Sequence, residues 1–416
     1  MLKLDLIHTL AFGGIILFLG YGLRRWIPPL ARYNLPAPVI GGLLVAVVIL
    51  IARRYGATPL QFDTTLQTPL MIAFFTTIGF GASLSLLKVG GPQVGLFFLI
   101  ATIFAVLQNV VGALIAIPFG LNPLFGVLAG SVALTGGPAT ALAFSGEFEQ
   151  AGVVAAGTVG IAAAMAGIIS GGIVGGPIST FLIERHKLKH PRAGSAHLET
   201  PTAQNIVEDQ MPEPKLATPE GEDVESYALL KSLVVILVAM WIGSWVSKEL
   251  TYYGQQVFGR FTLPAYIGAM LVAAAIRNID DVTKWIGLSQ RTIDDIGNVA
   301  LSLFLVVALM NLKIWEIAGL ALPLLVMIIA QVVLVTVVCF WPIFQLMGRD
   351  YESAVMSGGF IGFMLGTTAN AMAVMRTLVE RYGPAPRAFL VAPMVGAFFI
   401  DFTNALIITA CLNIFR

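Results

Sequence analysis

The sequence predicts an all-α polytopic membrane protein, with about ten transmembrane helices in two inverted five-helix repeats, each carrying a re-entrant hairpin. Three observations carry that prediction. Hydrophobic residues make up 57% of the 416 residues and charged residues 11%, a balance that leaves too little polar surface to cover a water-soluble fold. Two Gly-Gly turns, Thr135-Gly136-Gly137-Pro138 and Ser357-Gly358-Gly359-Phe360, break apolar segments at matching places in the two halves. A half-helix end inside a bilayer leaves backbone groups free to hold a solute or ion, which is how secondary transporters build binding sites. The third observation is that short stretches of the first half recur, in order, in the second.

Apolar runs with polar or Pro/Gly punctuation place spans near 6–23, 37–52, 68–87, 93–117 and 150–178, then 228–247, 264–277, 295–312, 317–346 and 387–414. Met1–Asp5 leads into Leu6–Tyr21 without a small-residue cleavage site, so this first stretch reads as a retained helix. Segments 121–149 and 351–381 are too interrupted to be simple spans. The first holds Gly130, Thr135, Gly136, Gly137 and Pro138, the second Gly358, Gly359, Gly362 and Gly366. Glycine and proline in a helix interior cost roughly 1 and 3 kcal/mol against alanine. Both segments therefore read as re-entrant hairpins with irregular tips at the Gly-Gly turns; the alternative is two kinked helices packed through small residues. Between them, a stretch opening at Glu184-Arg185-His186-Lys187 holds five prolines and ends in Glu220-Gly221-Glu222-Asp223, a composition that cannot bury a core. The chain thus divides into an N-terminal repeat over 1–183, a flexible cytoplasmic linker over 184–227 and a C-terminal repeat over 228–416.

The repeat is legible in the text. Leu35-Pro36-Ala37 before Ile40-Gly41 matches Leu263-Pro264-Ala265 before Ile267-Gly268, Gln108 matches Gln331, and Gly136-Gly137 matches Gly358-Gly359. Orientation follows from Lys and Arg. With both termini outside, 17 of the 24 basic residues fall in inward-facing loops. An odd number of spans per half then inverts the second half, so the two hairpins enter from opposite sides.

Asp401 is the sole acid in the apolar run Val391–Leu412, where a carboxylate needs a partner, a cation or water. Asn404, three residues on, shares its helical face, so the two are expected to converge on one ligand. Thr76, Thr77 and Asn298 add oxygens suited to a hard monovalent cation, and these four, with Asp401 first, are the candidate sodium ligands. Thr135, Gly136, Gly137, Pro138, Ser357, Gly358, Gly359, Thr367 and Thr368 form the candidate substrate site with Asn404. Arg376 and Arg381 follow the second hairpin, and either could supply a guanidinium for a carboxylate; Arg381 is taken into the site. Of the four histidines, His8 stands at the very start of the first apolar run and His186, His190 and His197 lie outside the runs, which argues against a metal or haem site in the membrane, and Cys339 and Cys411 show no CxxC spacing. No cofactor and no nucleic-acid partner is expected.

These residues resemble a known family. Leu35-Pro36-Ala37-Pro38-Val39-Ile40-Gly41-Gly42, TPLMIAFFTTIGFGAS from Thr68, GNVALSLFLVVALM from Gly297 and especially APMVGAFFIDFTNALII from Ala392 are similar to the bacterial sodium/glutamate symporters, over nearly all of the chain except the linker. The resemblance implies a sodium-coupled L-glutamate carrier of the inner membrane, working as a homodimer. The runner-up is a proton- or sodium-coupled carrier of another small carboxylate or amino acid. A channel would need a continuous polar pore, whereas polar residues here gather at two tips. A membrane enzyme would need a motif such as HExxH or a Walker lysine, and the sequence has neither.

Overall fold

Helix ends follow local chemistry throughout the computed structural model, which describes residues 2–56, 60–89, 91–189, 224–258 and 261–415. Most of the expected linker lies at 190–223, outside the described residues. Helix α1 (Leu6–Trp26) opens at Asp5, whose carboxylate accepts the His8 amide at 2.9 Å, and stops at Ile27, held extended before Pro28. α2 (Ala37–Arg54) follows Pro36 and closes on Arg53 and Arg54, cations at the negative helix end. Next come α3 (Gln67–Gly81) and α4 (Gly91–Ala116). α5 (Pro123–Val127) is capped by Asn122 and widens into a π turn over Leu128–Val132, where Gly130 leaves helical geometry at φ −94, ψ −125. α6 (Gly137–Gln150) restarts at Gly137, whose φ of +69 suits glycine, with Pro138 in the first turn where its missing N–H costs nothing. α7 (Ala156–Arg185) ends the first half.

The second half holds α8 (Val224–Phe258), α9 (Ala265–Thr283), α10 (Gln290–Met310) and α11 (Ala321–Val338). α12 (Tyr351–Met364) begins with a capping box in which Asp350 and Ser353 satisfy each other's amides. α13 (Thr368–Tyr382) is capped by Thr367, and α14 (Pro386–Met394) passes through a π stretch at Val395–Phe399 into α15 (Ile400–Phe415). Outside the helices, a two-residue parallel ladder ties Leu2–Lys3 to Leu60–Gln61.

Among the described residues, nine helices are long and apolar enough to cross a bilayer, which makes this a multi-pass membrane protein. They cover nine of the ten expected spans. The tenth corresponds to α9, whose end carries Arg277, Asp280 and Asp281, too many charges for the same description.

The helices sort into two bundles. α1, α2 and α3 pack with α8, α9 and α10, while α4 to α7 pack with α11 to α15, and few contacts join the groups. Small residues set the closest approaches in the second bundle: a Cβ at Gly112 of α4 would collide with the backbone carbonyl of Gly126 in α5. Its aromatic centre is made by Phe97 and Phe104 of α4 against Phe360 and Phe363 of α12, with ring centroids 5.3 to 6.0 Å apart.

The second break lies elsewhere than the sequence suggests. Ser357, Gly358 and Gly359 sit inside the continuous helix α12, and the chain turns at Leu365–Thr367 instead. The glycines thin the helix for packing, Gly358 against Ser179 and Val374, Gly359 against Met375 and Ala392. Ser357 turns its hydroxyl back to the Ser353 carbonyl at 2.9 Å.

Candidate functional site

The breaks after α5 and α12 meet inside the second bundle. A Cβ at Gly137 would lie 3.5 Å from the Gly366 carbonyl and 3.8 Å from the Thr367 methyl. Gln108 of α4 braces both: its Oε1 accepts from Thr135 at 2.5 Å and its Nε2 donates to the Met364 carbonyl at 3.0 Å. Backbone groups freed at Ser131 are taken up by two amides, the N–H donating to Asn109 Oδ1 and the carbonyl accepting from Asn404 Nδ2, each at 3.0 Å. Asn370 Nδ2 donates to the Ile168 carbonyl at 3.0 Å. Irregular backbone at this depth survives because side-chain amides replace the missing helical partners.

A cavity of about 610 Å³ opens on the seam between the bundles. One wall is α3 and α10, contributing Thr77, Gly81, Asp294, Gly297 and Asn298. The other is α13 and the α14–α15 unit, contributing Thr368, Ala369, Arg376, Pro393, Ala397 and Asp401. Two carboxylates, one guanidinium, two hydroxyls and the positive end of α13 thus surround one solute-sized space. Ala397 and Asp401 come from the π stretch and the turn after it, where widened geometry changes the regular pairing of carbonyls. Thr368 already uses one, donating to the Gly396 carbonyl at 2.7 Å.

Of the residues expected to bind a cation, Asp401, Thr77 and Asn298 line this cavity. Thr76 does not; it is buried with its hydroxyl on the Ile72 carbonyl at 2.7 Å. Asn404 is also turned away, committed to Ser131, so it does not converge with Asp401 on one ligand. The buried Ser131 carbonyl, freed from helical pairing at the first break, claims its amide. Among the substrate candidates, Thr368 lines the cavity, Thr367 caps its helix, and Gly137 approaches Gly366 and Thr367 from the neighbouring break, whereas Thr135, Gly136 and Pro138 do not line it. Ser357, Gly358 and Gly359 are buried within α12. Arg381 stands outside, paired with Glu184 at 3.1 Å with both side chains about 60% exposed. Arg376, five residues earlier, takes the place on the cavity wall.

Asp294 is the residue that sequence reasoning missed. Beside Asp295 and just ahead of the span expected from 295, it looks like an ordinary charged flank. Its spacing of four from Asn298 was the available signal, because i and i+4 share a helix face.

A second cavity of about 330 Å³ lies at the other end of α3, lined by Gln67, Thr68, Ser145, Glu147, Gln150 and Tyr266 among others. Beside this second space, Phe75, Phe144 and Tyr266 form a buried aromatic cluster with centroids 5.0 to 6.2 Å apart.

Among the described residues, nine membrane-length helices, two broken segments meeting in the interior, and a charged cavity on a seam between bundles define the build of a secondary transporter. The profile described as sodium/glutamate symporter matches residues 2–384. The sodium/glutamate symporter of Escherichia coli (strain K12) is 37% identical over 410 residues, covering 98% of this chain and 97% of that protein. That of Haemophilus influenzae is 36% identical over 399 residues, covering 96% of this chain and 95% of the relative. The chain belongs to the sodium/glutamate symporter family.

Proposed function

We infer that this protein is a sodium-coupled symporter that imports L-glutamate by alternating access across a bacterial inner membrane. The observation that carries this reading is the seam cavity, whose lining gathers Arg376, the amino end of α13 and the Asp401 carboxylate around one space. Glutamate presents two carboxylates. The guanidinium suits the side-chain carboxylate and the first-turn N–H groups at Thr368 suit the other, each helix end acting as roughly half a positive charge. Sodium is held at Asp401, with oxygens from Thr77, Asn298 and the π stretch completing its shell. Curated relatives named sodium/glutamate symporters support both substrates. Transport makes and breaks no bond, and the protein needs no cofactor beyond the coupling ion.

The two halves act as inverted repeats, 1–183 and 228–416, joined by the linker at 184–227, with hairpins at 121–149 and 351–381 and both termini outside. Packing supports this: each half gives its first three long helices to one bundle and the remainder to the other. Because both cavities lie on the seam, displacement of one bundle against the other would open them in turn. A homodimer in the bilayer is the working assembly.

The test is uptake of labelled L-glutamate into proteoliposomes under an imposed Na⁺ gradient, against a panel of unlabelled acids. Accumulation that collapses without Na⁺ and is blocked by L-glutamate well below L-glutamine supports the reading. Equal competition by glutamine overturns the anionic substrate, and a proton gradient serving as well as sodium overturns the coupling ion. Single cysteines at Glu147 and Asp350 that label from the same side would overturn the inverted arrangement.

A further inference from the structure

Resting on the L-glutamate reading, we propose that Asp294 is the specificity residue for the substrate's α-ammonium, so that the carrier distinguishes an amino acid from the same diacid without its amino group. The cavity offers two positive features, Arg376 and the amino end of α13, and two carboxylates, Asp294 and Asp401. The cargo brings two carboxylates, one ammonium and at least one sodium. Two positive features answer the two carboxylates, and two acids remain for the two cations.

The surroundings assign which acid takes which. A sodium ion needs several oxygens at once, and Asp401 follows directly on the π stretch Val395–Phe399, where widened backbone can add carbonyls. Asp294 sits in regular helix, its Oδ1 accepting from Gln290 Nε2 at 2.8 Å, with no irregular backbone on its own helix to complete an ion's shell. An ammonium asks less, only about three acceptors. Gly81 on the same wall is the last residue of α3, so the negative end of a 15-residue helix points to the same region. Arg277 on the neighbouring helix α9 is paired with Asp281 at 3.0 Å.

Glutarate, which is L-glutamate without the amino group, is the probe. In counterflow with the wild type, glutarate must compete at least about tenfold more weakly than L-glutamate; equal competition overturns the assignment without any variant. Asp294→Asn should raise the half-inhibitory concentration of L-glutamate by about tenfold or more while moving that of glutarate less than about threefold, with Na⁺ half-saturation little changed. Asp294→Glu should recover part of the preference for L-glutamate over glutarate. Parallel weakening of both competitors, or a shift confined to Na⁺, makes Asp294 a structural or cation-binding acid and overturns the proposal. Absence of Na⁺-driven L-glutamate uptake in the wild type would instead overturn the functional reading itself.

Discussion

The side-chain amide of Gln331 donates to the main-chain carbonyl of Gln108 at 2.7 Å, joining two buried glutamines 223 residues apart that occupy matching places in the two halves of the sequence. The contact is unequal. Gln331 reaches only the backbone of its counterpart, whereas Gln108 also holds Thr135 and Met364 at the two breaks.

That inequality predicts a graded response. Gln108→Leu removes the partner of the Met364 carbonyl and leaves the Thr135 hydroxyl only the weak Met364 sulfur acceptor at 3.4 Å, and should destabilise the protein by about 2–4 kcal/mol. Gln331→Leu removes only an added bond to a carbonyl inside helix α4, together with an Oε1 that has no partner, and should cost at most about 1 kcal/mol. Thermal unfolding in detergent measures both, and equal shifts would show that Gln108 does not brace the breaks.

Asp401→Asn should weaken Na⁺ dependence severely, raising the Na⁺ concentration for half-maximal uptake by about tenfold or more, because a bare cation at depth needs a fixed negative charge or a strong set of oxygens. Asp401→Glu should be intermediate. Unchanged Na⁺ titration in a correctly inserted Asn variant would move the cation site away from this carboxylate.

Arg376 and Arg381 make a discriminating pair. Arg376→Ala removes the guanidinium on the cavity wall and should raise the KM for L-glutamate by about tenfold or more. Arg381→Ala breaks an exposed pair with Glu184, worth about 0.2–1 kcal/mol, and should leave KM within about threefold. Initial-rate uptake at saturating Na⁺ decides, and the reverse order of effects would place the substrate carboxylate elsewhere.

Two glycines of α4 should behave oppositely. Gly112→Ala puts a methyl against the backbone of Gly126, which cannot move aside as a flexible side chain would, and should lower yield of folded protein sharply. Gly95→Ala meets nothing within 4 Å and should be neutral or stabilising by up to about 1 kcal/mol. Monodispersity in detergent and melting temperature report both.

Membrane class, the places of nine spans, two interrupted segments and the isolation of Asp401 were all determined by the sequence, because hydropathy, Gly/Pro interruption and a lone charge are properties of a chain segment by itself. What the tertiary structure decided depends on facing and crossing. Successive residues turn by about 100° around a helix, so Asn404, three along from Asp401, can be rotated off the cavity onto the Ser131 carbonyl. The same geometry puts Arg376 on the cavity wall and Arg381 at the surface, and brings Asp294 from another bundle opposite Asp401. Gly358 and Gly359 read as a tip in one dimension, yet they are a packing groove once α7, α13 and α14 lie against α12. A glycine pair lowers the cost of either outcome, and only the neighbours select between them.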